Sequence, residues 1–219
     1  MPIPNLAPQL EPSFCLSMLR VRIGPLKEVC GGNASDRISE NAMERLNRTV
    51  ALVGMMGAGK SALGRRLAQR LGVSFRDADS EIEIAAGCSI SEIFDRYGEA
   101  AFRDGERRVI ARLLGEPPHV LATGGGAFID TDTRNRVKQR AVSVWIKAPV
   151  DVLLARTQRR DTRPLLRNGD PLETLTRLLE EREPIYAEAD LTIGSEDGPH
   201  NAAVDLIVDS LRSRGILSA

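Results

Sequence analysis

The residues best suited to chemistry begin with one run, Gly54-Met55-Met56-Gly57-Ala58-Gly59-Lys60-Ser61, which fits G-x-x-x-x-G-K-[ST]. Its glycines permit a tight loop whose backbone N–H groups turn inward onto the β-phosphate of a nucleoside triphosphate. A helix starting at Lys60 adds its positive dipole end. Lys60 can reach the β and γ oxygens, and the Ser61 hydroxyl is placed to bind Mg²⁺. The flanks agree: the apolar run Val50-Ala51-Leu52-Val53 precedes the loop, and Ser61 to Leu71 reads as a helix with Leu63, Leu67 and Leu71 on one face. These residues imply a nucleotide site and leave the phosphate acceptor open.

The acceptor side is carried by acids, glycines and arginines further along. Many chains with this loop place an acid at the end of a later apolar strand. Here Val120-Leu121-Ala122 runs instead into Thr123-Gly124-Gly125-Gly126, and the acids come earlier, at Asp77 and Asp79, past a brief strand at Val73 to Phe75. Alternation along an extended segment puts both carboxylates on one side: one suits a metal's water shell, the other a substrate hydroxyl. The same pair could simply cap the next helix. Three glycines at a strand's carboxyl end let the backbone approach a ligand closely. Arg182 shares the apolar face of Leu178 and Leu179 on a helix from about Leu172, where a guanidinium calls for an anionic partner. Arg103 stands one turn before Glu106, and a plain i, i+3 pair between them would contribute roughly 0.2–0.5 kcal/mol. Arg156, Arg159, Arg160, Arg163 and Arg167 surround Asp161 without a clear apolar stripe. That stretch reads as a charged flap able to close on a triphosphate, or as a solvated charge run.

Around these residues, apolar strands alternate with amphipathic helices from Thr49 onward. Ser89-x-x-Glu92 has the form of a capping box opening a helix through Arg112, with Ile93, Phe94 and Tyr97 as its apolar stripe. Ala141 to Ile146 and Leu191 to Ile193 read as further strands, and Ala202 to Arg212 as a closing helix. Such alternation implies a three-layer α/β fold with a parallel sheet and right-handed crossovers. Residues 1–48 differ, with five prolines, a Gly31-Gly32-Asn33 turn signal and no sustained period. They read as a disordered extension or as a start placed too early, with Met43 the true one; an organelle-targeting segment is the alternative. The kinase domain is expected over 49–219, with a lid at about 156–170.

Composition narrows the class. Thirty Lys+Arg balance thirty Asp+Glu, which argues against a general nucleic-acid binder. Cys15, Cys30 and Cys88 form no CxxC pair, and only His119 and His200 are present, so neither a disulfide framework nor a histidine metal site is expected. No apolar run reaches the roughly 18 residues of a membrane span. A cytoplasmic monomer is the expectation.

Together, Gly54 to Ser61, Phe75-x-Asp77-x-Asp79, Phe102-Arg103-x-x-Glu106, Gly124-Gly125-Gly126, Arg163-Pro164-Leu165-Leu166 and Arg182-x-Pro184-x-Tyr186 resemble shikimate kinase, from about Thr49 to the C-terminus. The resemblance implies the P-loop fold of the nucleoside-monophosphate-kinase type: five parallel strands, substrate-binding helices and a lid. It implies Mg²⁺-dependent transfer of the ATP γ-phosphate to the 3-hydroxyl of shikimate, in chorismate biosynthesis. By the same resemblance Gly57, Ala58, Gly59, Lys60, Ser61, Ala62, Arg156 and Arg163 would meet the nucleotide. Ser61 and Asp77 would hold Mg²⁺, Asp77 through water. Asp79, Arg103, Arg182 and Gly124 to Gly126 would hold shikimate, with Glu106 bracing Arg103. Lys60, Asp79 and Arg163 would be catalytic. Ala62 departs from the threonine that commonly follows the loop serine. Sugar-acid kinases and nucleoside-monophosphate kinases share the cradle, and a non-catalytic nucleotide-binding module of the same fold is the alternative of another class.

Overall fold

Five short segments, none long enough to stand alone, pair into one parallel sheet: β2 (Thr49–Val53), β3 (Phe75–Asp77), β4 (Val120–Ala122), β5 (Ala141–Lys147) and β6 (Leu191–Gly194), in the order β3-β4-β2-β5-β6. The computed structural model describes residues 44–158, 170–195 and 200–218. Most of the expected extension (1–43) and of the expected lid (159–169, including Arg163) lies outside the described residues. Upstream of β2, β1 (Arg45–Leu46) pairs antiparallel with β7 (Leu217–Ser218). Arg48 also donates to the Lys138, Gln139 and Ala141 carbonyls, tying the entry of β2 to the end of a neighbouring helix.

β2 is central because all five of its residues are buried, as a strand covered on both faces requires. The helices that cover it are α1 (Lys60–Leu71), α2 (Ala78–Ala86), α3 (Ile90–Leu113), α4 (Thr131–Arg140), α5 (Val150–Gln158), α6 (Pro171–Tyr186) and α7 (His200–Ser213). α1 lies on the sheet as its spacing predicts, with Leu63 and Leu67 buried and Leu71 packed at the edge. Full burial of a leucine such as Leu67 contributes about 1.5–3 kcal/mol. Gly64 allows the close approach, because a Cβ there would lie 2.6 Å from the Phe75 ring and 3.0 Å from Leu52.

Local differences from the sequence expectation have local causes. The second strand starts at Phe75 because Val73 is spent on closing α1. Gly72 takes the left-handed conformation and the Val73 N–H donates to the Ala68 carbonyl, a helix-terminating turn. The capping box at Ser89 and Glu92 forms as expected. α3, however, breaks at Gly98 (φ 77°, ψ 174°), so the stripe changes phase. Ile93 is buried, whereas Tyr97 is 57% exposed. α2 and α4 lack strong stripes and are defined by their caps, Asp77 and Asp130. Arg156 belongs to a packed helix rather than to a charged flap, since α5 buries Leu153 and Thr157.

The strand order brings the chemistry together. In the register, Asp77 aligns with Ala122, and Ala122 with Leu52. The segments leaving β2, β3 and β4 therefore emerge at one level, at the carboxyl edge where sheets of this kind bind ligands.

Candidate active site

The loop after β2 delivers its donors through backbone conformation. Gly59 is the N-cap of α1 at φ 93°, with no side-chain hydrogen bond capping the helix. The first N–H groups of α1 are thus oriented for an anion. Lys60 is buried, and its Nζ donates to the Gly54 and Met55 carbonyls at 2.8 and 2.9 Å. The ammonium is therefore held over the loop. Ser61 Oγ donates to Asp77 Oδ2 at 2.6 Å. A hydroxyl and a carboxylate so placed are hard oxygen donors, the set that suits Mg²⁺ when phosphate and water complete the shell. Among the described residues no group of three His, Cys, Asp or Glu side chains could hold a metal alone.

Asp77 and Asp79 reach the cleft by different routes from the one alternation suggests. Asp77 ends β3 in extended conformation and caps α2, its Oδ1 accepting from the Asp79 N–H at 3.1 Å. Asp79 lies in the first turn of α2, so the pair is set by a strand-to-helix turn and not by an extended run. Capping and metal-side placement coexist in Asp77.

The three glycines are required by space, since none of them has a positive φ. A Cβ on Gly124 would strike Glu106 Oε1 and lie 3.1 Å from Asp79 Oδ1. One on Gly126 would lie 2.5–2.9 Å from the Arg103 guanidinium. Arg103 Nη1 donates to Glu106 Oε2 at 2.8 Å, and its Nε and Nη2 reach Glu99 at 3.2 and 3.0 Å. Burial works to lower the Arg103 pKa, but Glu106 and then Glu99 outweigh it and the shift is upward. For Glu106 burial wins: its pKa is raised despite Arg103, with Asp79 and Asp130 adding to the rise.

Arg182 completes the far wall. Leu178 on its face is buried and Leu179 partly so, as the sequence implies. Its Nη1 is buried without a hydrogen-bond partner among the described residues, as is Glu106 Oε1. Tyr186, one turn on, donates from its hydroxyl to the Gly125 carbonyl. Burial pushes its phenol up to about 12, with Arg182 and Arg103 pulling the other way. Both arginines thus stand within electrostatic reach of a single hydroxyl.

One cleft of about 790 Å³ is lined by the loop from Gly57 to Ala62, by Asp77, Asp79, Arg103 and Glu106, by Gly124 to Gly126, and by Arg156 and Arg182. Ala58 is the exception among the expected residues: it is fully buried beneath the loop, its carbonyl 3.5 Å from Arg156 Nη1. Arg156 Nη1 also donates to Ser195 Oγ at 3.0 Å. Ser195 escaped sequence reasoning, as did the Phe94 and Phe102 wall, whose rings pack 4.8 Å apart. A signal for Ser195 was present, since it directly follows β6 on the ligand-binding edge. Arg163 lies outside the described residues.

A family model described as shikimate kinase matches residues 56–212. A shikimate kinase of Caulobacter vibrioides is 57% identical over 175 residues, covering 80% of this chain and 88% of that one. One of Paramagnetospirillum magneticum is 59% identical over 167 residues, covering 76% and 86%. Among solved structures, shikimate kinase from Acinetobacter baumannii in complex with shikimate superposes with a TM-score of 0.74 at 40% identity, covering 76% of this chain and 94% of that one.

Proposed function

The chain belongs to the shikimate kinase family, and from that premise we propose how its own residues carry the reaction. The reaction is transfer of the ATP γ-phosphate to the 3-hydroxyl of shikimate, giving shikimate 3-phosphate and ADP, in chorismate and aromatic amino-acid biosynthesis. The observation that carries the residue assignment is the buried, unpaired Nη1 of Arg182 in a cleft shared with Arg103 and the P-loop. A guanidinium so placed asks for a planar anion, and a carboxylate accepts bidentately from it.

Arg182 and Arg103 grip the shikimate carboxylate, with Glu106 bracing Arg103. Gly124 to Gly126 present backbone to the ring hydroxyls. Asp79 holds the acceptor hydroxyl and takes its proton as the oxygen bonds to the γ-phosphorus and the bond to the ADP oxygen breaks. The N–H groups from Gly57 to Ala62 cradle the phosphates. Lys60 leaves its loop carbonyls to follow the transferring phosphoryl group, and Arg156 packs on the nucleotide side. Arg163, assigned to the nucleotide side, lies outside the described residues. Ser61, with Asp77 behind it through water, would hold Mg²⁺, and the ion when bound would supply charge neutralisation for the phosphates. The transition state is loose, so positioning and charge supply most of the rate.

We assign the kinase domain to 49–219, preceded by β1, with residues upstream dispensable, and take the protein to be a cytoplasmic monomer. Among the described residues no helix is long and apolar enough to cross a membrane. A coupled ADP-release assay with ATP, Mg²⁺ and shikimate, against gluconate and nucleoside monophosphates, tests the reading. Turnover dependent on both shikimate and Mg²⁺ is expected. Release only with another acceptor would overturn the acceptor assignment. ATP binding without release would make the chain a non-catalytic module.

A further inference from the structure

Tyr186 contributes an atom that packing alone does not require. Its ring is fully buried and stacks on Trp145 of β5, with centroids 6.0 Å apart and planes 28° apart. A phenylalanine would fill that space equally well. The hydroxyl instead donates to the Gly125 carbonyl and lies 3.8 Å from Met55 Sδ in the P-loop. Gly125 is close-packed in turn, since a Cβ there would lie 3.1 Å from the Met56 N. The phenol oxygen thus joins three segments, α6, the glycine loop after β4 and the loop after β2.

Arg182 sits four residues before Tyr186 on α6, so both side chains lie on one face of the helix. We propose that Tyr186 is a positioning residue for the acceptor, its bond to Gly125 setting the span between the Arg182 guanidinium and the Gly124–Gly126 backbone. This inference rests on the shikimate reading above, in which Arg182 takes the carboxylate and the glycine loop meets the ring hydroxyls. In that reading the span is the length of the substrate from carboxylate to hydroxyls, and the phenol is its gauge. The phenol titrates far above neutrality, so it remains a donor across the working range.

Tyr186→Phe keeps the ring and removes the gauge. Its expected effect is a rise of roughly tenfold in the shikimate KM, the size of one buried hydrogen bond, with the ATP KM within about twofold of wild type. In an Arg182→Ala background the same change should move the shikimate KM by less than about twofold, because the group it positions is gone. Equal rises in both KM values, or full additivity with Arg182→Ala, would reduce Tyr186 to a packing residue and overturn the proposal. Should Tyr186→Phe not fold, the wild type supplies the readout. Trp145 is the chain's single tryptophan, and saturating shikimate should shift its emission through the stacked tyrosine. An emission indifferent to shikimate, in protein that turns shikimate over, would overturn the proposal. Wild-type protein without shikimate-dependent turnover would instead fail the functional reading, and this inference with it.

Discussion

Glu106→Gln separates the brace on Arg103 from the stability of the fold. The Arg103–Glu106 pair is 2.8 Å long, with side chains 23% and 3% exposed. A hydrogen bond between charged groups so placed contributes about 1.5–3 kcal/mol. Arg103 also pairs with Glu99 at 3.0 Å, but that carboxylate is 54% exposed, and such pairs contribute about 0.3–0.5 kcal/mol. Most of the orientation therefore comes from Glu106. Glutamine keeps an acceptor and loses the charge, removing about half of the bond, and about 1.4 kcal/mol corresponds to a tenfold change. The shikimate KM should rise roughly three- to tenfold at saturating ATP. Stability should change little, because the substitution also removes a buried charge whose Oε1 has no partner among the described residues.

The pH dependence carries a sign. The folded-state pKa of Glu106 is raised, burial outweighing Arg103, and Asp79 and Asp130 push the same way. As pH falls, Glu106 takes its proton before an ordinary glutamate would, and the brace weakens above the usual glutamate range. For stability, the contribution of this group is present below the unfolded pKa and is lost as pH rises through the folded one. Wild type should thus show an acid-side rise in shikimate KM that Glu106→Gln lacks, and the variant's relative stability should be better at neutral pH than in acid. Steady-state kinetics from pH 5 to 8, with thermal unfolding of the same samples, measure both. A shikimate KM within about twofold of wild type, together with a melting temperature lowered by many degrees, would refute the brace and leave Glu106 a structural residue.

Gly126→Ala should raise the shikimate KM about tenfold and spare ATP, since its Cβ meets the Arg103 guanidinium; an unchanged shikimate KM would show that Arg103 moves aside without cost. Gly105→Ala on the same helix as Arg103 is the control: a Cβ there meets nothing within 4 Å, so it should leave both KM values alone and add about 0.4–1 kcal/mol of stability in a melt. Asp77→Asn should raise the Mg²⁺ concentration for half-maximal rate several-fold, through its 2.6 Å contact with Ser61; an unmoved Mg²⁺ titration would remove Asp77 from the metal side. Deleting Met1 to Ala42 keeps β1 and the Glu44–Arg212 ion pair, so activity and melting temperature should hold; a protein that no longer folds would make the extension structural.

What was legible in the sequence is what depends on short range. The P-loop needs a strand, glycines and a helix start in one contiguous run, and those residues could be read directly from Val50 to Leu71. The Ser89 capping box is equally local. Which element a residue joins, and which distant residue it meets, were less legible. Alternation placed Asp77 and Asp79 on one side, but the helix-favouring Ala78 to Ala86 segment begins between them, and the cap at Asp77 decides the geometry. Of the charged run, Arg156 lies within the described residues, on α5, which buries Leu153 and Thr157 and packs Val150, Val152 and Leu154 against the core.

The glycine triplet shows where the two ranges meet. Its position after an apolar strand implied close approach, and that was right, but the usual reason for glycine, a positive φ, does not apply. The cause is that Glu106 and Arg103 from α3 occupy the volume where side chains at Gly124 and Gly126 would stand. Side chains of α3 and the backbone of the glycine loop are thus packed into each other. Such a site pays its ordering cost during folding. On the proposed reading, in which Arg103 takes the shikimate carboxylate, this packing fixes its aim, and a reaction governed by positioning gains rate from that.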